Sequence, residues 1–152
     1  MRRGILILAL LTICALLSAC ASTSAASEAT APTAAPLTVD LDLTRLSATV
    51  LYSQVYNMMS EPESYLGKVI KMAGYYSPYN DVERGVVYHA CVIPDAMACC
   101  APGIEFVWRG DHKWPDDYPA EGTDLDVTGR LESYIEDGYM YLHLVDAEVV
   151  WG

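Results

Sequence analysis

Asp124-Leu125-Asp126-Val127-Thr128-Gly129-Arg130-Leu131-Glu132 is the stretch that decides the fold. Leu125, Val127, Gly129 and Leu131 fall on one side of an extended chain, and the polar residues between them fall on the other. Strict alternation of this kind marks a strand with one buried face. A few residues later Asp137-Gly138 separates this run from Met140, Leu142 and Leu144, which alternate again. Glycine accepts the positive φ of a tight turn, so the two runs read as a β-hairpin.

Working backwards, the same period recurs. Ile104, Phe106 and Trp108 alternate with Glu105, Val107 and Arg109; Val86 to Ile93 is a continuous β-forming run; Ile70, Met72 and Gly74 alternate with Lys71 and Ala73. These are five strands in about 85 residues. Gly74 and Gly129 sit inside strands, where glycine lets a sheet bend sharply or another backbone approach closely. Before Gly67 the period is 3.6: Ala48, Leu51, Tyr52, Val55, Met58 and Met59 share one helical stripe. Thr44 or Ser47 can cap its start and Pro62 cannot continue it, which predicts an amphipathic helix over 44–60 that covers one side of the sheet.

The spacing of short strands and internal glycines predicts a mainly β domain, a small five-stranded barrel preceded by that one N-terminal helix. The segments Gly67-Lys68-Val69-Ile70-Lys71-Met72-Ala73-Gly74 and Gly122-Thr123-Asp124-Leu125-Asp126-Val127-Thr128-Gly129 resemble the first-strand and fourth-strand signatures of OB-fold domains. That resemblance covers residues 66 to 150 and implies an OB-like barrel without naming a function.

The chain ahead of the domain has a different character. Arg2 and Arg3 precede an apolar run from Gly4 to Leu16, and Leu17-Ser18-Ala19-Cys20 closes it with small residues. The apolar run is shorter than the roughly 20 residues a membrane-spanning helix needs, so residues 1–19 read as a secretory signal. The closing tetrapeptide resembles the lipobox of bacterial lipoproteins. That likeness implies cleavage before Cys20, a lipid on its sulfur, and anchorage to the outer face of the cell membrane. Residues 20–40 are a tether rich in Ala, Ser, Thr and Pro that cannot bury a core. The folded domain is expected over 41–152.

The chain carries 9 basic and 20 acidic residues, a formal charge of −11. Removing Arg2 and Arg3 with the signal takes this to −13. So negative a surface repels phosphate backbones, which argues against nucleic acid as a partner and leaves cations, neutral small ligands or another envelope protein.

One cluster stands out chemically. His89 and Cys91 lie two apart on a predicted strand and so on one face, and Cys99-Cys100 return after Pro94. Three readings remain open. Cys91 can form a disulfide with Cys99 or Cys100, since neighbouring Cα atoms about 3.8 Å apart disfavour a bridge between the pair itself. Closing that loop contributes about 2.5 kcal/mol and leaves one cysteine over. Alternatively, His89, Cys91, Cys99 and Cys100 make a Cys3His set of the type zinc prefers, although adjacent cysteines seldom both reach one tetrahedral ion. Or the thiols are buried small hydrophobes or redox donors, for which no CxxC pair is present.

The run Asp95-Ala96-Met97-Ala98-Cys99-Cys100-Ala101-Pro102-Gly103-Ile104-Glu105-Phe106 resembles a segment of a group of uncharacterised Gram-positive lipoproteins. Its cysteine pair with Asp95-Ala96 is similar, in altered order, to the OB-like domain of a membrane-protein family associated with zinc permeases. That second likeness implies zinc.

Tyr75, Tyr76 and Tyr79, beside Tyr88, form a candidate ligand face, and packing along an edge strand explains them equally well. Asp111, Asp116, Asp117, Glu121, Asp124 and Asp126 read as a solvated loop or a weak calcium site without EF-hand spacing. No GxSxG, HExxH or phosphate-cradling glycine loop is present, and no catalytic pattern joins His112 or His143 to an acidic or nucleophilic partner in the sequence. The expectation is a non-enzymatic, surface-anchored binding module. The rivals are a structural or interaction lipoprotein with a stapling disulfide, and a thiol redox accessory protein.

Overall fold

The computed structural model describes residues 36–93 and 101–152. Over these described residues it is mainly β, a six-stranded mixed sheet with one α-helix. In chain order the elements are β1 (Leu41–Asp42), α1 (Ala48–Ser60), a 3-10 turn (Pro62–Ser64), β2 (Val69–Asp81), β3 (Val86–Val92), β4 (Gly103–Trp108), β5 (Asp124–Glu136) and β6 (Tyr139–Trp151). Among these described residues no helix is long and apolar enough to cross a membrane.

The sheet order is β1-β2-β3-β4-β6-β5, and β2 also pairs with β5, so the five long strands close into a ring. The ring is uneven rather than a regular barrel. β5 and β6 run together from Leu125–Trp151 to Glu136–Tyr139, whereas β3 and β4 join only through Ala90–Cys91–Val92 against Glu105–Ile104–Gly103. β4 and β6 are parallel, and all other pairs in the ring are antiparallel.

β2 is longer than its alternating run suggested, and it changes partner midway. Val69–Tyr75 pairs with β5, and Tyr75–Asp81 pairs with β3. Beyond Tyr75 the side that held β5 is no longer in a ladder. Pro78 therefore occupies a position where a missing N–H breaks no strand pairing, which is why a proline is tolerated inside this strand.

Gly74 stands at the changeover. A Cβ there would lie 2.4 Å from the Val92 carbonyl oxygen and 2.9 Å from Cys91 Sγ, so only glycine lets β2 and β3 cross this closely. Gly129 serves the opposite corner, where a Cβ would meet Leu144 Cβ at 2.8 Å. The β5–β6 register shifts there, with Asp146 at φ 51°, as at a bulge. Both corner glycines are where the strand pattern placed them. The Asp137-Gly138 turn is there too, with both residues at positive φ.

The helix is shorter than predicted. It begins at Ala48 with Ser47 at its N-cap, because Thr44 is held in a preceding turn by Asp42, whose Oδ1 accepts from the Thr44 N–H at 2.9 Å and hydroxyl at 2.6 Å. Its buried stripe is Val55 and Met58 with Leu51 and Tyr52 half-buried, while Ala48 and Met59 face solvent. The alternating residues Ile70, Met72, Ile104, Phe106, Leu125, Val127, Leu131 and Leu144 fill the ring interior with Tyr76 and Cys91. Among the described residues every buried core residue lies between Leu43 and Ala147, so residues 36–152 carry a hydrophobic core of their own.

Candidate functional site

His89 and Cys91 do share a face, and it is the interior one. Tyr76 stands opposite Cys91 on β2, and its hydroxyl lies 2.7 Å from His89 Nδ1. Burial pulls the His89 pKa down to about 4, so the ring is neutral at pH 7 and shares a hydrogen bond with the tyrosine through Nδ1. The ring also stacks on Tyr118, centroid to centroid 4.0 Å, with Phe106 at 6.0 Å. Cys91 is fully buried as a free thiol, and burial, followed by the charge of Asp126, pushes its pKa up to about 12.

These two side chains are thus packed in the interior, the ring against Tyr118 and the sulfur beside the β2–β3 crossing. Among the described residues no three His, Cys, Asp or Glu side chains converge as a metal-binding group. Cys20, Cys99 and Cys100 lie outside the described residues. The acidic stretch is dispersed: Asp117 accepts from the Lys113 N–H at 2.7 Å, and Asp126 pairs with Lys71 at 3.5 Å on the sheet.

The tyrosines divide between two faces, which corrects the single platform expected from the sequence. Tyr76 is 1% exposed and belongs to the core, because strand alternation turns it inward beneath Tyr118 and His89. Tyr75 is half-buried at the point where β2 changes partner, opposite Val92 and Asp124. Tyr79 and Tyr88 do stand together as a cross-strand pair on the outer face, with rings stacked at 6.2 Å.

Two tyrosines from the β5–β6 hairpin complete that face. Tyr134 and Tyr141 are a second cross-strand pair, stacked at 5.4 Å. Tyr79, Tyr88, Tyr134 and Tyr141 line a cavity of about 380 Å³ together with Arg84, Glu105 and Glu136. Two hydrogen bonds fix its walls: the Tyr88 hydroxyl donates to Glu136 at 2.7 Å and the Tyr134 hydroxyl to Glu105 at 2.6 Å. The hydrogen bond to Glu136, then burial, pushes the Tyr88 pKa up to about 12; burial, then the bond to Glu105, raises that of Tyr134. Both phenols are therefore neutral donors at pH 7.

Arg84, in the β2–β3 turn, pairs with Asp81 at 2.8 Å and reaches across to Asp137 in the β5–β6 turn. The two hairpin tips are thereby tied at the mouth of the cavity. Val82 (80% exposed), Ile135, Tyr139 and Met140, in or next to these two turns, are also exposed to solvent. The sequence reading singled out neither Tyr134 nor Tyr141, although alternation along the hairpin turns Tyr134 away from the buried side of Leu125, Val127 and Leu131. The meeting of both tyrosines with Tyr88 across the sheet depends on curvature that no local pattern records.

A larger cavity, about 560 Å³, lies elsewhere, between the start of α1 and the sheet, lined by Leu46, Leu51, Ala73, Leu125, Val150 and Trp151. Its charged lining side chains are Asp124 and Asp126, the second already paired with Lys71, and the rest of the lining is mainly apolar.

The tyrosine cavity is equipped for one kind of chemistry. Aromatic faces attract a cation through their quadrupole, and carboxylate oxygens accept charge-assisted hydrogen bonds from ammonium or guanidinium groups. Comparison with protein-family models, curated proteins and solved structures returned no match, so the site is read from its own geometry.

Proposed function

We propose that this chain is an exported, lipid-anchored, non-enzymatic binding module whose ligand site is the tyrosine cavity between the two hairpin tips. The ligand class it suits is a small organic cation or a cationic side chain. The observation that carries the reading is the arrangement of Tyr79, Tyr88, Tyr134 and Tyr141 around one cavity, two of them bonded to Glu136 and Glu105. The formal charge of −11 favours the same class of ligand at long range. OB-folds generally present ligands to the face of their second and third strands and the adjoining loops, the position occupied here by β3, β4 and the hairpin tips. The anchor rests on Cys20 and the signal that precedes it.

Titration of isotope-labelled residues 36–152 with choline chloride and with a capped lysine amide tests the site. Saturable shifts are expected at Tyr79, Tyr88, Tyr134 and Tyr141, with Tyr134→Ala weakening binding about tenfold. Equal response to sodium acetate, or no saturable response to either cation, would overturn it. The anchor is tested separately: Cys20→Ser in cells is expected to release the protein from the membrane fraction.

A further inference from the structure

The ladder between β3 and β4 stops early. Continuing its register would set His89 opposite Phe106 and Tyr88 opposite Val107, and neither pair forms. β4 instead shifts register between Phe106 and Trp108 as it joins β6, and a bulge of this kind bends a strand away from its other neighbour. A wedge of about 440 Å³ opens between the two strands, floored by Val86, Val87, Phe106 and Val107 and overhung by Tyr134 and His143.

Along this wedge, Val86 to His89 pair with β2 on one side and with no described strand on the other. Such an edge presents unpaired N–H and C=O groups, a template for an added strand. The usual devices that block an edge are lysine, proline or a bulge, and Val86-Val87-Tyr88-His89 has none of them. At about 3.3 Å per residue the free edge is about 13 Å long, enough for four or five residues of extended chain.

Charge selects the occupant. Glu105 stands in the wedge and Glu136 beside it, each accepting one tyrosine hydroxyl and retaining oxygen lone pairs for a further donor. A second copy of so acidic a chain would be repelled, and a basic segment attracted.

We infer that the wedge takes up an extended basic peptide segment of another protein, added as a strand along Val86–His89, with a lysine or arginine side chain at the Tyr88, Tyr134 and Glu105 corner. The recognition of that side chain rests on the proposed cation site; the main-chain pairing is independent of it.

The experiment uses labelled residues 36–152 and a capped five-residue peptide of alternating valine and lysine. Two controls accompany it, the same peptide with alternate amides N-methylated and one with glutamate replacing lysine. Slowed amide exchange within Val86–His89 is expected, with about tenfold weaker binding after N-methylation and a similar loss in the glutamate peptide. If the N-methylated peptide binds as well as its parent, strand addition is wrong while the cation site stands. Binding of choline without binding of the peptide has the same meaning. Failure of both ligands removes both proposals, and concentration-dependent shifts at Val86–His89 without peptide would assign the edge to self-association instead.

Discussion

Acid should destabilise this domain through His89 before its carboxylates are titrated. The imidazole has an ordinary value of 6.5 and is pulled down to about 4 in the folded protein by burial among Tyr76, Tyr118 and Phe106. A group that binds its proton less well when folded gives its full stability above the unfolded value and loses it as pH falls toward the folded one. The window therefore runs from 6.5 down to about 4. Taken at face value, the shift corresponds to about 2 kcal/mol lost between about pH 7.5 and about pH 5. Because the ring is only half-buried, solvent screening reduces the expectation to about 1–2 kcal/mol. Chemical denaturation of residues 36–152 and of the His89→Gln variant, run side by side across that range, isolates the effect. His112 and His143 are present in both proteins, so the gap between the two stability curves reports His89 alone. The gap should shift against the wild type by about 1–2 kcal/mol as the pH falls. A gap independent of pH would refute the burial argument.

Other substitutions probe the remaining features. Gly74→Ala should lower stability by about 3 kcal/mol or more, because its methyl would meet a backbone oxygen at 2.4 Å; a thermal melt within a few degrees of wild type would contradict this. Tyr134→Phe should cost about 1 kcal/mol through the lost bond to Glu105, measured by denaturant unfolding, and should weaken choline binding less than Tyr134→Ala does. The Cys91 thiol should resist alkylation in the folded domain and react on addition of denaturant, so rapid native labelling at Cys91 would show that the β2–β3 crossing opens readily.

How much was legible beforehand differs sharply between fold and site. The strand of Leu125, Val127 and Leu131 and the Asp137-Gly138 turn needed only local chemistry, period two and positive φ, and these were read correctly. So were Gly74 and Gly129, because glycine inside a strand has few other uses. The second half of β2 was missed, since Pro78, Asn80 and Asp81 carry the composition of a loop, and only the departure of β5 after Tyr75 makes a proline harmless there. Tyr75 and Tyr76 looked like one platform because they are adjacent, yet adjacent residues in a strand face opposite ways. Tyr88 and Glu136 meet although 48 positions separate them, a contact made by sheet curvature.

The change of partner along β2 has a mechanical consequence. A segment that is hydrogen-bonded to β5 over one half and to β3 over the other belongs to both sides of the ring. Neither side can detach without stripping it, so backbone protection should be highest where the two ladders meet around Tyr75. Any force or ligand that tugs on the hairpin tips is conveyed down this shared spine to the crossing at Gly74 rather than absorbed at the surface.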